Sequence, residues 1–175
     1  MKKLAFTLVL ATSILLAACT QRQDSGMEDM KDKMAIKELV DTFSILADQK
    51  DTDAQALLFT EDAIVDSYRG DQLISSLKGR EEIGNGFGAY LALFETVYHI
   101  NGQQTVSFDG NKATGVSYCQ VVLIREQDGK RMMSTDGVYY NDEYVKVDGR
   151  WLIAKRTSYF VWNDQKEISK SIIEE

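Results

Sequence analysis

TVYHINGQQTVSFDGNKATGVSYCQVVLIREQDGKRMMSTDGVYYNDEYVKVDGRWLIAKRTSYFVW occupies residues 96–162, and its punctuation decides the fold. Asp109-Gly110-Asn111, Asp128-Gly129 and Asp148-Gly149 cut it into four segments: Thr96–Phe108, Lys112–Glu126, Arg131–Lys146 and Arg150–Trp162. Each segment is rich in β-branched and aromatic residues, and each break is a turn sequence whose residues tolerate positive φ. Four strands joined by tight turns form an antiparallel meander. Strands this long twist, bulge and curl rather than stay flat.

Working outward toward the N-terminus, Ala63–Tyr68 and Gln72–Leu77 flank Arg69-Gly70-Asp71, a hairpin signal. Three helices are expected around it. Ile36, Leu39, Val40, Phe43, Leu46 and Ala47 recur at intervals of three and four, which predicts a helix over Met27–Gln49. Ser25-Gly-Met-Glu28 before it reads as a capping box. Thr52-Asp-Ala-Gln55 reads as another, opening a short helix that ends near Leu58. Gly79-Arg-Glu-Glu-Ile83 begins a third helix, with Ile83, Phe87, Tyr90, Leu91 and Phe94 on its buried side. Gly84, Gly86 and Gly88 weaken that helix and point to close backbone packing. Helices first and a long curled sheet after them is an α+β layout. Trp151, after its Asp-Gly turn, is expected on the sheet's outer surface, and Asn163–Glu175 reads as a polar tail.

The N-terminus has its own signature. Met1-Lys2-Lys3, an apolar run from Leu4 to Leu16 and Ala17-Ala18-Cys19 have the layout of an export signal. The run is shorter than the ~20 residues that span a bilayer. Leu16-Ala17-Ala18-Cys19 resembles the lipobox of bacterial lipoproteins, which implies cleavage before Cys19 and acylation of that cysteine. The expected organisation is a signal peptide over residues 1–18, a lipidated tether over 19–26, the domain over 27–163 and a polar tail over 164–175. The implied location is the cell envelope, with the chain held to the membrane through lipid on Cys19.

Removing residues 1–18 takes away 2 of the 20 basic residues and none of the 27 acidic ones, leaving 18 against 27 and a net charge of −9. An acidic chain without a Lys/Arg cluster is not expected to bind nucleic acid. With one histidine and, beyond Cys19, only Cys119, no familiar metal-ligand spacing exists and no intramolecular disulfide can form. No metal or organic cofactor is expected. Cys119, in a strand and without a partner base, reads as a small buried hydrophobe. Arg125-Glu-Gln-Asp-Gly-Lys-Arg131 reads as a solvated hairpin tip.

Ala35-Ile-Lys-Glu-Leu39, Leu57-Leu-Phe-Thr-Glu-Asp-Ala63, Gly79-Arg-Glu-Glu-Ile83, His99-Ile-Asn101 and Asp148-Gly-Arg-Trp151 occur in the order seen in the NTF2-like superfamily. The chain most resembles its SnoaL-like branch, which includes scytalone dehydratase and bile-acid 7α-dehydratases, over residues 33–162. The resemblance implies a cone of three helices packed in a strongly curved antiparallel sheet, a cavity at its open end, and in many members a homodimer. The dehydratase-like members place an aspartate late in the first helix, matching Asp48, and a histidine on the strand after the third helix, matching His99. A tyrosine common one turn before the aspartate is Phe43 here. A further acid of the bile-acid enzymes falls near Gln120 or Val121, where none stands.

Elimination of water needs a base for a proton and an acid for the departing hydroxyl. A histidine fixed by a carboxylate does both, so Asp48 and His99 are the catalytic candidates. Asp48 also sits at a helix C-terminus, where the helix dipole disfavours negative charge. The domain is dense in aromatic residues, and Phe43, Tyr68, Tyr118 and Asp136 are expected to line a pocket for a small, largely apolar molecule. Two readings remain at this level: a cofactor-independent lyase or isomerase, and a non-catalytic module for ligand binding or dimerisation.

Overall fold

A computed structural model describes the backbone of residues 2–169 and the side chains of residues 26–169. The chain divides into two units, Met1–Ala35 and Ile36–Glu175. Helix α1 spans Lys2–Gln49 and so runs through the boundary. The expected start at Met27 is corrected: the backbone is helical upstream of it. Residues 19–26 contain no proline and only Gly26 as a strong helix breaker, so Ser25 is not forced to act as a cap. The side chains of the proposed signal, including Cys19, lie outside the described residues. In the first unit Met27, Met30 and Met34 are exposed.

In the second unit α1 continues to Gln49, followed by α2 (Thr52–Ala56), β1 (Phe59–Arg69), β2 (Gln72–Lys78), α3 (Arg80–Leu91), β3 (Thr96–Asp109), β4 (Lys112–Gln127), β5 (Lys130–Val147) and β6 (Arg150–Glu167). The cap of α2 is Asp51, whose carboxylate accepts from Ala54 N at 3.1 Å, and not Thr52. Gly79 precedes α3 at φ 83°, a conformation that costs glycine nothing. A Cβ on Gly86 would stand 2.8 Å from the Leu77 side chain, and one on Gly84 3.2 Å from Ala56 Cβ. The glycines of α3 therefore let it lie close to its neighbours.

The six strands form one curled sheet in the order β2-β1-β6-β5-β4-β3. The meander pairs antiparallel as expected, whereas β1 meets β6 in parallel, so the sheet is mixed rather than purely antiparallel. The hairpin β1–β2 is thereby added to the free edge of the meander. Strand β6 continues to Glu167, through the region expected to be tail, because Asn163–Glu167 pair with Met132–Asp136 of the equally long β5. Residues 170–175 lie outside the described residues.

Ile36, Val40 and Phe43 of α1 pack with Phe59, Val65, Ile83, Tyr144, Trp151 and Ile153 into one core. Full burial of each aliphatic or aromatic side chain stabilises by about 1.5–3 kcal/mol. Trp151 is 5% exposed and belongs to this core, which corrects its expected outer position. A second cluster joins Ala47, Leu91, Phe94, Val121, Val138 and Tyr140 toward the other end of the sheet.

Candidate functional site

Three bulges set which side chains face the helices. Asn101 and Gln104 of β3 pair with Cys119 and Ser117, so β3 carries one extra residue between them. Opposite Glu143/Tyr144 and Gly137/Val138, β6 carries Ala154 and Val161 as extras. With these counted, His99, Val121, Asp136 and Asn163 form one cross-strand row on the helix-facing side.

Helix α1 delivers Asp48 to this row. It ends in a Schellman arrangement: Asp51 N donates to Leu46 O at 2.9 Å and Lys50 N to Ala47 O at 3.0 Å, with Lys50 in the left-handed region at φ 57°. Lys50 Nζ also donates to Phe94 O. Asn101 fastens β3 to the same helix, donating to Asp41 Oδ1 at 2.9 Å and accepting from Ser44 Oγ at 3.0 Å. Two residues before it, His99 Nδ1 lies 2.6 Å from Asp48 Oδ1, and His99 N donates to Asp48 Oδ2 at 3.2 Å. Both carboxylate oxygens are thus held by one residue, which offsets the unfavourable helix end. A proton on Nδ1 facing Asp48 leaves Nε2 as the basic nitrogen. Burial pulls the His99 pKa below its ordinary value, against the hydrogen bond and charge of Asp48, which raise it.

Arg156, fully buried on β6, lies one strand from Asp142, also buried. Its Nε and Nη2 donate to the two Asp142 oxygens at 2.9 and 2.7 Å, and Tyr144 Oη donates to the same carboxylate at 2.8 Å. The guanidinium is sandwiched 4.2 Å from the ring centroids of Phe43 and Tyr140. Burial alone would lower its pKa; the charge and hydrogen bonds of Asp142 win, and the net direction is up. Nη1 has no protein partner, and neither has Ser117 Oγ. A buried donor without an acceptor is costly, and an oxygen atom brought to it relieves that cost. Cys119 is buried, and desolvation pushes its thiol up to about 11, which disfavours the thiolate form.

Asp136 lines a cavity of about 160 Å³ at the end of the sheet where β4, β5 and β6 pass the C-terminus of α3. Phe43 is core beneath Arg156 rather than pocket wall. Tyr68 and Tyr118 stand on the opposite face of the sheet. There Tyr118, Tyr139, Tyr159 and Tyr68 form a ladder in register across β4, β5, β6 and β1, with centroids 5.9, 4.8 and 5.4 Å apart. The structure therefore joins Asp48 to His99, places Asp136 on a cavity, and separates the two tyrosines from it. Sequence reasoning missed Arg156 and Asp142. Their alternation along the strand was visible, but Arg156 and Lys155 exchange faces according to the bulge at Ala154. Arg125, expected on a solvated tip, is on the cavity wall.

Uncharacterized proteins of Mycobacterium tuberculosis and Mycobacterium bovis are each 25% identical to this chain over 142 residues, covering 81% of it and 93% of theirs. A putative scytalone dehydratase from Novosphingobium aromaticivorans superposes with a TM-score of 0.68 at 21% identity, covering 82% of this chain and 93% of that one. A hexachlorocyclohexane dehydrochlorinase of type 2 does so with a TM-score of 0.67 at 16% identity, covering 83% and 94%. These likenesses establish the α+β cone. The model of the SnoaL-like domain matches residues 28–157, and this chain belongs to that family.

Proposed function

We propose that this protein is a membrane-anchored lipoprotein whose domain takes a small, largely apolar hydroxylated molecule on the helix-facing side of the sheet and acts on it as a cofactor-independent lyase or isomerase. The observation that carries this reading is the 2.6 Å contact of His99 Nδ1 with Asp48, reinforced by the backbone hydrogen bond to the second oxygen. In an elimination, Nε2 of His99 takes a proton from carbon. The electron pair of that C–H bond becomes the double bond, and the C–O bond breaks. The proton carried by His99 then leaves with the hydroxyl as water. Asp48 orients the imidazole and offsets its transient charge. Arg156, with Nη1 unpaired, supplies positive charge to an oxygen of the substrate. That similar structures include proteins called a putative scytalone dehydratase and a hexachlorocyclohexane dehydrochlorinase fits elimination chemistry. Phe43 stands where the resemblance to dehydratase-like members implies a tyrosine, which leaves Arg156 as the polarising group.

His99 is the chain's one histidine, so the ultraviolet signal of carbethoxyhistidine formed with diethyl pyrocarbonate reads it alone. A catalytic His99 reacts in the folded protein, and Asp48→Asn changes the rate. A His99 that reacts only on unfolding contradicts the reading.

A second reading has its own observation. Tyr118 of the tyrosine ladder and, beside it, Tyr98, Ile100, Val161 and Trp162 are each about half exposed or more. Their combined apolar area is on the order of several hundred Å², the size range of interface patches. We infer that a second copy of this chain covers this face. Sedimentation of the wild type as a dimer, and of Tyr118→Glu/Trp162→Glu as a monomer, is the expected result; a monomeric wild type removes the reading.

A further inference from the structure

The 160 Å³ cavity at the mouth of the cone has a composition that the apolar reading of the ligand does not explain. Phe94, Leu123 and Met132 supply apolar wall, but Arg69 of β1 and Arg125 of β4 line it as well. Two other arginines of this domain, Arg131 and Arg156, are matched to acids, Glu95 and Asp142, and Arg80 donates to the Phe59 carbonyl. Arg69 and Arg125 have no carboxylate within ion-pair distance among the described residues. Arg125 Nη2 donates only to the neutral Gln127 Oε1, at 2.9 Å. The two guanidiniums lie 5.9 and 5.8 Å from the ring centroids of Phe160 and Phe94, cation–π contacts that do not neutralise them. In a chain with 27 acidic and 20 basic residues, two such arginines on one cavity are a distinct feature.

The floor of the cavity carries the complementary group. Asp136 is 4% exposed and accepts one hydrogen bond, from Asn163 Nδ2 at 2.8 Å. Its other oxygen has lone pairs for a donor. Tyr90, on the α3 side, feels all three charges: burial raises its pKa, Asp136 adds to the rise, and Arg69 and Arg125 lower it. The cavity thus has a positive rim, an apolar wall and an acceptor at depth. Its volume is close to the ~150 Å³ that holds a benzene ring.

We propose that the mouth cavity binds a small hydroxylated carboxylic acid about the size of a single ring. The carboxylate sits at Arg69 and Arg125, the ring or short chain lies against Phe94 and Leu123, and the hydroxyl donates to Asp136. Guanidinium and carboxylate match in shape as well as charge. This assignment rests on the reading that the helix-facing side of the sheet is the ligand side, and it names the ligand's class. Asp136 and His99 share a row with Val121 between them, about 10 Å apart at the usual strand spacing.

The probe is 4-hydroxybenzoate, titrated calorimetrically into the full-length chain in detergent micelles. Benzoate, 4-hydroxybenzyl alcohol and inorganic phosphate are the comparators. The expected result is saturable binding of 4-hydroxybenzoate that weakens with added salt, with the neutral alcohol and phosphate each binding at least tenfold more weakly. Arg69→Gln and Arg125→Gln, both at the rim, each weaken it about tenfold. Asp136→Asn narrows the difference between 4-hydroxybenzoate and benzoate. Equal binding of the neutral alcohol, unchanged affinity in both arginine variants, or no binding of either acid overturns the assignment. Loss of acid binding beside a reactive, Asp48-dependent His99 removes the ligand class alone.

Discussion

Asp142 and Arg156 face each other across β5 and β6 in a two-pronged pair, 2.9 and 2.7 Å, with neither residue more than 2% exposed. Breaking a buried pair from one side leaves a charge without compensation and costs about 3–5 kcal/mol. Asp142→Asn is therefore expected to lower the urea midpoint strongly. The double replacement Asp142→Leu/Arg156→Met should recover much of the loss, because an apolar pair of similar volume leaves no charge buried. Equilibrium urea unfolding of the two variants checks both.

Gly137 lies directly beneath the indole of Trp162. A Cβ there would come within 1.9 Å of Trp162 Nε1, so the ring has to move. Gly137→Ala should cost about 1–3 kcal/mol and shift the Trp162 fluorescence to a more exposed position, which a comparison with Trp162→Phe isolates from Trp151.

His99 contributes to the acid limb of stability, and the sign follows from its depressed pKa. Above the ordinary histidine value of about 6.5 both folded and unfolded chains hold it neutral, and its contribution is complete. As the pH falls through that value the unfolded chain takes up a proton that the folded chain refuses. Stability then declines, until the lower folded pKa is passed. His99→Gln lacks this component, so the difference between wild type and variant should shrink from pH 7.5 to pH 5. Urea midpoints at the two pH values measure it, and carboxylates common to both proteins cancel.

Cys19→Ser should abolish lipid attachment. The wild type should partition with membranes and show a mass larger than residues 19–175 by its acyl groups, whereas the variant should be released or remain uncut before residue 19. Fractionation with intact-mass spectrometry decides this.

The meander was legible because three Asp-Gly turns and dense β-branched segments state it locally. The dyad was legible through the family pattern, since Asp48 and His99 are 51 residues apart and no periodicity connects them. What was not legible depends on single inserted residues. The extra Ala154 brings Arg156, rather than Lys155, into the core opposite Asp142, and the extra Val161 lays Trp162 over Gly137 on the outer face. One residue of slip reverses every side chain beyond it. The same uncertainty put Tyr68 and Tyr118 on one pocket with Asp136, whereas both stand on the opposite face, where Tyr118 borders a separate hollow beside Trp162. The end of β6 was misread for a different reason: Asn163–Glu167 are polar, and their strand conformation comes from the length of β5 rather than from their own propensity.

The most direct test of the central claim is the NMR titration of the single histidine in the full chain, in wild type and in Asp48→Asn. The account predicts that His99 titrates below the ordinary histidine value, with Nδ1 protonated in the neutral form, and that Asp48→Asn lowers its pKa further, by about one unit or ~1.4 kcal/mol of lost coupling. A His99 whose pKa ignores the substitution, or rises with it, would contradict the account.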